Sequence, residues 1–221
     1  MYPAILKPIS KSGGEGVRII KNASELEESE RKNLEKEFFF QRYINGPLLS
    51  IEVISTPKKI TPLFITSFEV DEAFSCKRVI FPDVLPNKDR EYFINSAVKL
   101  ARGLKLRGLM DVKAIYGIEG DSCGKIYIME INARLPSQTP TVVYNATGVN
   151  ILKILWKVFS GQKVSKFKSD CYFNKNIVVY QHIWIKDSIM HIIGERALST
   201  SKNLDIEKNF FGSEAITIFP F

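Results

Sequence analysis

Lys7 closes a short strand-like run, PAILKP (3–8), and is followed by Ser12, Gly13, Gly14 and Gly16 in the turn KSGGEG (11–16). Glycines let a tight turn bring backbone N–H groups close to phosphate oxygens. A lysine at the strand end adds a compact positive charge for the same anion. The lysine precedes the glycines, which excludes a Walker loop. Further along, 108–116 and 125–134 read as paired strands. Side chains alternate along a strand, so Asp111, Lys113 and Ile115 share one face. Glu130, Asn132 and Arg134 share a face in the same way, with Tyr127, Met129 and Ile131 expected on the apolar side. Carboxylate and amide oxygens suit magnesium, which takes few protein ligands and completes its shell with water and phosphate. Arginine suits a phosphoryl or carboxylate group. Lys113 is placed to pair with Glu130. The run 134–147, RLPSQTPTVVYNAT, is polar and proline-punctuated, and reads as a loop able to hold a substrate beside the metal.

The elements that must position these residues alternate between strands and helices without a repeated βαβ unit. Val17–Ile20 returns from the glycine turn as a hairpin strand. Asn22–Lys36 is helix-prone, with Asn22 or Ser24 as N-cap. Phe38–Ile44 reads as a buried strand ended by Asn45-Gly46-Pro47. Leu49–Ser55 and Leu63–Val70 read as strands. Asp89–Leu104 is an amphipathic helix with Phe93, Ala97, Leu100, Ala101 and Leu104 on one face, and Asn150–Phe159 is a second. The tail, 171–221, is β-rich, with turns near Asn174, Asp187 and Asn203. The expected class is α+β with antiparallel sheets.

The 221 residues, 45% hydrophobic and 25% charged, are those of a globular protein. No apolar run approaches the roughly 20 residues of a membrane span, and the N-terminus lacks a signal-peptide core. The net charge of +7 comes from dispersed lysines, and no RNA-recognition or zinc-finger spacing is present, so neither nucleic acid nor membrane is an expected partner. Cys76, Cys123 and Cys171 are odd in number and scattered, which points to reduced thiols in a cytoplasmic protein.

Lys7 with its glycine loop, Gln41-Arg42-Tyr43-Ile44 and Glu130-Ile131-Asn132 together resemble the ordered signature of the ATP-grasp superfamily. More narrowly, SIEV (50–53), DEAFSC (71–76), GLMDV (108–112), ARLPSQTPTVVY (133–144), YQH (180–182) and GERALS (194–199) resemble the ligases of pyrrolysine biosynthesis. Those enzymes join 3-methyl-D-ornithine to the side-chain amine of L-lysine, and the likeness runs over nearly the whole chain. It implies an ATP-grasp fold, ATP and Mg2+ as cofactors, and small-molecule amino-acid substrates. Lys7 would touch the nucleotide phosphates and Ser12–Gly16 would close over them. Gln41, Arg42, Tyr43 and Ile44 would hold the adenine, with Ile115 packing on the base. Glu130 and Asn132 would bind magnesium. Ser50, Glu52 and Asp111 would recognise substrate amino groups, and Arg134 and Ser137 would face the phosphoryl and carboxylate end. The implied reaction activates a carboxylate as an acyl phosphate and joins it to an amine.

The same resemblance divides the chain into a partial small lobe with the glycine-rich loop (1–46), a large lobe with the metal and substrate sites (47–170) and a β-rich C-terminal segment (171–221). The chain is expected to be truncated at both ends, with a missing N-terminal domain or split subunit as its partner. Lys113 stands where the superfamily usually places a metal-binding carboxylate or amide. Pro47 and Leu48 stand where relatives often carry a ribose-binding glutamate. Two alternatives stay open: another ATP-grasp enzyme, either an amino-acid ligase or one like carbamoyl-phosphate synthase, and a non-catalytic nucleotide-binding fragment.

Overall fold

The computed structural model describes residues 2–163, 176–186, 188–195 and 211–220. Their elements are β1 (Ala4–Pro8), β2 (Arg18–Ile20), α1 (Glu28–Glu37), β3 (Phe38–Arg42), β4 (Leu48–Ser55), β5 (Ile60–Val70), β6 (Cys76–Phe81), α2 (Asn87–Gly103), β7 (Gly108–Tyr116), β8 (Ile126–Asn132), α3 (Thr139–Thr147), α4 (Ile151–Phe159), β9 (Asn176–Lys186), β10 (Ile189–Ile192) and β11 (Phe211–Pro220). The strand pairings with a resolved register are antiparallel, as expected for the α+β class. The residues fall into two compact units. No helix among the described residues is long and apolar enough to cross a membrane.

The first unit draws on Met1–Ile44, Val70–Lys77 and His182–Ser213. Its three-stranded sheet has the order β2-β1-β3. Leu6, Ile20 and Leu26 are buried together, and Leu34 of α1 and Phe38 pack on them. Helix α1 starts later than the sequence suggested. Asn22 caps a short 3-10 turn, its Oδ1 accepting from the Ser24 N–H at 3.0 Å, while Glu27 and Glu30 form a reciprocal capping box for the helix itself. Strand β3 ends at Arg42 and is not the buried strand expected, since Phe39 and Phe40 remain 46% and 43% exposed. It lies at the edge of a small sheet, so its side chains have neighbours on one flank only.

The second unit draws on Asn45–Glu69, Arg78–Gln181 and Glu214–Phe221. Here β6, β5, β4, β7 and β8 lie side by side, and the first part of β9 pairs with β6 from Phe81↔Val178 to Arg78↔Gln181. One face of this sheet presents Leu49, Ile51, Val53, Ile65, Met110, Val112 and Ala114 to helix α2, which buries Phe93, Ala97 and Ala101 against them. The spacing of four residues per contact is the helical period that the sequence displayed. Leu104, expected on that face, is 59% exposed, because α2 ends at Gly103 and Leu106 packs on the core instead. Strand β6 was not foreseen: CKRVIF mixes cations with apolar residues, and Arg78 is held by Glu69 at 3.0 Å.

The run 134–147 is not a loop throughout. It bends over 133–138 and then forms α3. Proline in the first turn is compatible with a helix start, since that N–H has no intrahelical acceptor. Val142, Val143 and Ala146 are buried, and Gly148 at φ 74° ends the helix in the left-handed region. Asn150 caps α4 by accepting from the Lys153 N–H at 2.8 Å. The turns expected near Asn174, Asp187 and Asn203, and Cys171, lie outside the described residues; Cys76 is half-buried and Cys123 exposed.

Phe93 is fully buried between α2 and the sheet. Phe93→Ala is expected to destabilise the chain by about 3–5 kcal/mol. A urea titration read by circular dichroism checks this; a change of less than about 1 kcal/mol would mean that α2 is not seated on the sheet.

Candidate active site

The face of the second unit's sheet opposite α2 carries polar residues in register. Across three strands, Glu52 pairs with Asp111 and Asp111 with Asn132; one step along, Ser50 pairs with Lys113 and Lys113 with Glu130. Six chemically active side chains thus form a grid two residues deep and three strands wide. Two irregularities shape it. The β4–β5 register shifts between Ile51 and Val53, beside Glu52, and the β7–β8 register shifts between Lys113 and Ala114, opposite Met129. Bulges of this kind re-aim side chains next to functional sites. The second one corrects the expected alternation: Tyr127 pairs with Ile115 and so shares the face of Glu130 rather than lying behind it.

Glu52 and Asp111 are fully buried. The Ser50 hydroxyl donates to Asp111 Oδ1 at 2.5 Å and its oxygen lies 3.4 Å from Glu52 Oε1. A hydroxyl carries one proton. Ser50 therefore serves Asp111, at the shorter distance, and leaves Glu52 the weaker contact. The electrostatics agree. Burial first and the neighbouring Asp111 carboxylate second push the Glu52 carboxyl from 4.5 up to about 8, against the lowering effect of its own backbone N–H and of contacts with Thr139 and Ser50. Burial also raises Asp111, opposed by its hydrogen bond from Ser50 and by the Lys113 charge. Glu52 Oε2 has no hydrogen-bond partner among the described residues.

The Glu130 side of the grid is half-exposed and engaged internally. Lys113 Nζ lies 3.0 Å from Glu130 Oε1 and 5.2 Å from the centre of the Phe68 ring, the pairing expected from the sequence. Asn132 Nδ2 donates to Glu130 Oε1 at 3.0 Å and to Asp111 Oδ2 at 3.2 Å, which leaves its amide oxygen for another ligand. One carboxylate and one amide oxygen fit a single magnesium ion that takes its other ligands from phosphate and water. They do not fit two, since Lys113 occupies the place of a further anionic ligand. Arg134 does not continue the strand face: β8 ends at Asn132, and Arg134 and Ser137 lie exposed on the bend before α3. Thr139, missed in the sequence because it sits inside what read as a loop, reaches Glu52 from the first turn of α3.

The remaining predicted residues belong to the first unit, except Ile115, which pairs with Leu48 and Tyr127 in the second. Lys7 pairs with Phe39, and Gln41 with Ile5 two positions along, so Lys7 and Gln41 share one face of the small sheet, away from buried Leu6. Arg42 ends that strand, Tyr43 follows it half-buried, and Ile44 is buried. After Ser12, the loop glycines Gly13, Gly14 and Gly16 hold φ of 61°, 80° and 71°, values that favour glycine. A Cβ on Gly14 would stand 2.3 Å from the Phe74 carbonyl oxygen, so that residue alone lets the loop settle on the β5–β6 turn. That turn is held by Asp71, which accepts from the N–H groups of Ala73, Ser75 and Gly194 at 3.0, 2.9 and 3.1 Å.

Antiparallel strands with a glycine loop beside a lysine, and a separate sheet bearing an acid–amide pair, describe an ATP-grasp fold. Solved structures agree: the biotin carboxylase domain of Hydrogenobacter thermophilus 2-oxoglutarate carboxylase, in complex with MgADP and bicarbonate, superposes with a TM-score of 0.70 at 23% identity, over 85% of this chain and 42% of that one. An L-amino acid ligase from Bacillus licheniformis gives 0.67 at 20% identity, over 84% and 46%. Residues 1–138 match the ATP-grasp domain family, and the chain belongs to it. A curated relative, the 3-methyl-D-ornithine–L-lysine ligase of Methanosarcina mazei, is 30% identical over 98% of this chain and 53% of its own length. The chain thus spans about half the length of the curated ligases it matches.

The raised Glu52 carboxyl makes the fold pH-sensitive. Between 4.5 and about 8 the folded chain holds a proton that the unfolded chain releases. Its stabilising effect is complete below 4.5 and is lost as pH rises through about 8. Melting temperature is expected to fall across that window, and Glu52→Gln, which keeps the shape without the titration, is expected to flatten the fall. A profile for Glu52→Gln parallel to that of the wild type would show that another group titrates.

Proposed function

We propose that this chain carries the ATP- and substrate-binding part of a carboxylate–amine ligase that joins 3-methyl-D-ornithine to the ε-amine of L-lysine. The observation that carries this reading is the buried pair Glu52 and Asp111, two carboxyls on adjacent strands with one oxygen unpartnered. A buried acid pair without a cation is costly. A diamine brings ammonium groups that satisfy it, whereas bicarbonate, bound by the biotin carboxylase neighbour, would be repelled. The 30% identical Methanosarcina relative, named for this reaction, supports the same substrate class. The odd number and scattered spacing of the three cysteines support a cytoplasmic setting.

In this proposal residues 1–46 serve the nucleotide and 47–170 the metal and amino-acid substrates. Lys7 gives a fixed charge to the triphosphate, and the Ser12–Gly16 loop offers it backbone N–H groups. Gln41, Arg42, Tyr43, Ile44 and Ile115 serve the base. Glu130 and Asn132 hold one magnesium, which when bound supplies charge neutralisation at the phosphates. The substrate carboxylate attacks the γ-phosphorus of ATP, releasing ADP and leaving an acyl phosphate. The amine then attacks the carbonyl carbon, loses a proton, and phosphate leaves. Ser50, Glu52 and Asp111 orient the diamine so that its carboxylate faces that phosphorus, an effect of positioning. Arg134 and Ser137 serve the phosphoryl end.

Two measurements test the reading. The chain, alone or mixed with the N-terminal half of the M. mazei relative, is expected to release phosphate from magnesium-ATP only when D-ornithine or its 3-methyl form is present. Asp111→Asn is expected to raise the apparent KM for the diamine at least tenfold, and equal KM values would remove the amine role. Lys113→Met frees Glu130 from its ion pair, and is expected to lower the magnesium concentration needed for half-maximal phosphate release several-fold. An unchanged magnesium requirement would place the ion elsewhere.

A further inference from the structure

Thr66 lies on β5 directly opposite Ser50, in the regular stretch of the β4–β5 ladder just before the register shift. Directly opposed residues share a face. Its neighbour Ile65 packs into the α2 core, so Thr66 points to the other side, where Ser50 and Glu52 stand. The residue is fully buried, and its hydroxyl has no hydrogen-bond partner among the described residues. Leaving a buried hydroxyl unpaired is unfavourable, and an isosteric valine would fill the same space in the β5 core without that cost. Glu52 Oε2, on the adjoining strand, is likewise buried and unpartnered. Two orphan oxygens on one face, beside an Asp111 carboxyl, amount to an acceptor set with no donor.

We propose that Thr66 is a further substrate-recognition residue, its hydroxyl accepting a hydrogen bond from the same primary ammonium group that Glu52 and Asp111 attract. The inference rests on the ligase reading above and deepens it. A primary ammonium has three N–H donors in a tetrahedral fan. Glu52 Oε2, an Asp111 carboxyl oxygen and the Thr66 hydroxyl give one acceptor for each. The uncharged hydroxyl makes the third acceptor without adding a third negative charge to a buried site, which would raise the cost of the empty state. Three strands then each contribute one contact: β5 through Thr66, β4 through Glu52 and β7 through Asp111.

The test uses the 221-residue chain with D-ornithine as probe, and compares wild type, Thr66→Val and Thr66→Ser by calorimetric titration and by thermal melting without ligand. Thr66→Val is expected to weaken D-ornithine binding about tenfold while raising the melting temperature of the ligand-free chain by a few degrees. Opposite signs are the signature of a polar group kept for a ligand at the expense of stability. Thr66→Ser, which keeps the hydroxyl, is expected to bind within about threefold of wild type. Wild-type affinity in Thr66→Val overturns the inference and leaves the ligase reading standing. Weakened binding together with a lowered melting temperature, or equal losses in both variants, would also overturn it, because packing rather than the hydroxyl would then be at stake. Failure of the wild-type chain to bind D-ornithine would overturn this inference and the diamine reading together.

Discussion

Two carboxyl groups buried on neighbouring strands govern the second unit. Glu52 and Asp111 stand opposite each other in register, out of contact with solvent, with a single serine hydroxyl between them. Two like charges so placed cannot both persist without a cation. Burial resolves this in favour of a proton on one of them: Glu52 is pushed up to about 8, while the Ser50 hydroxyl donates to Asp111. Two features fix these positions. The core under the sheet does so from one side, where α2 fills the odd positions of β4 and the even positions of β7. Helix α3 does so from its first turn, by bringing Thr139 to Glu52.

Much of this arrangement was legible in the sequence because it follows from period two. Once 108–116 is a strand, Asp111 and Lys113 must share a face, and β7 occupies those residues. Helix α2 was legible from the spacing of Phe93, Ala97 and Ala101 for the same kind of reason. Features that broke the period were hidden. The register shift opposite Met129 turned Tyr127 onto the grid side, and nothing local in IYIMEIN marks a bulge. The proline in TPTVVYNAT read as a loop signal although a first-turn proline suits a helix equally. Thr66 was silent because its meaning lies in its cross-strand partner and in a missing hydrogen bond, neither of which is a property of one segment.

The first unit shows a different kind of legibility. Its glycines announce a turn, and three positive φ values bear that out. What the sequence could not show is that Gly14 is also required by contact, with the Phe74 carbonyl where a side chain would go. That contact joins residues sixty positions apart, and local propensity carries no information about it. The exposed phenylalanines of β3 are the converse case. Their hydrophobicity suggested a buried strand, but burial depends on how many layers surround an element, and a small edge sheet supplies few.

The three acids of the grid are held by three separate means, and this distinguishes it from a merely acidic patch. Glu52 holds a proton, Asp111 accepts hydrogen bonds from Ser50 and Asn132, and Glu130 is paired with Lys113. Under the proposed function each device would yield to a cation: an ammonium would displace the proton on Glu52, and a magnesium ion would compete with Lys113 for Glu130. The amide of Asn132 links the two halves, since its nitrogen donates to Asp111 and Glu130 at once. Under the proposed function the diamine would lie over β4 and β7 and the metal over β8, so the two cations would not contend for the same carboxylate.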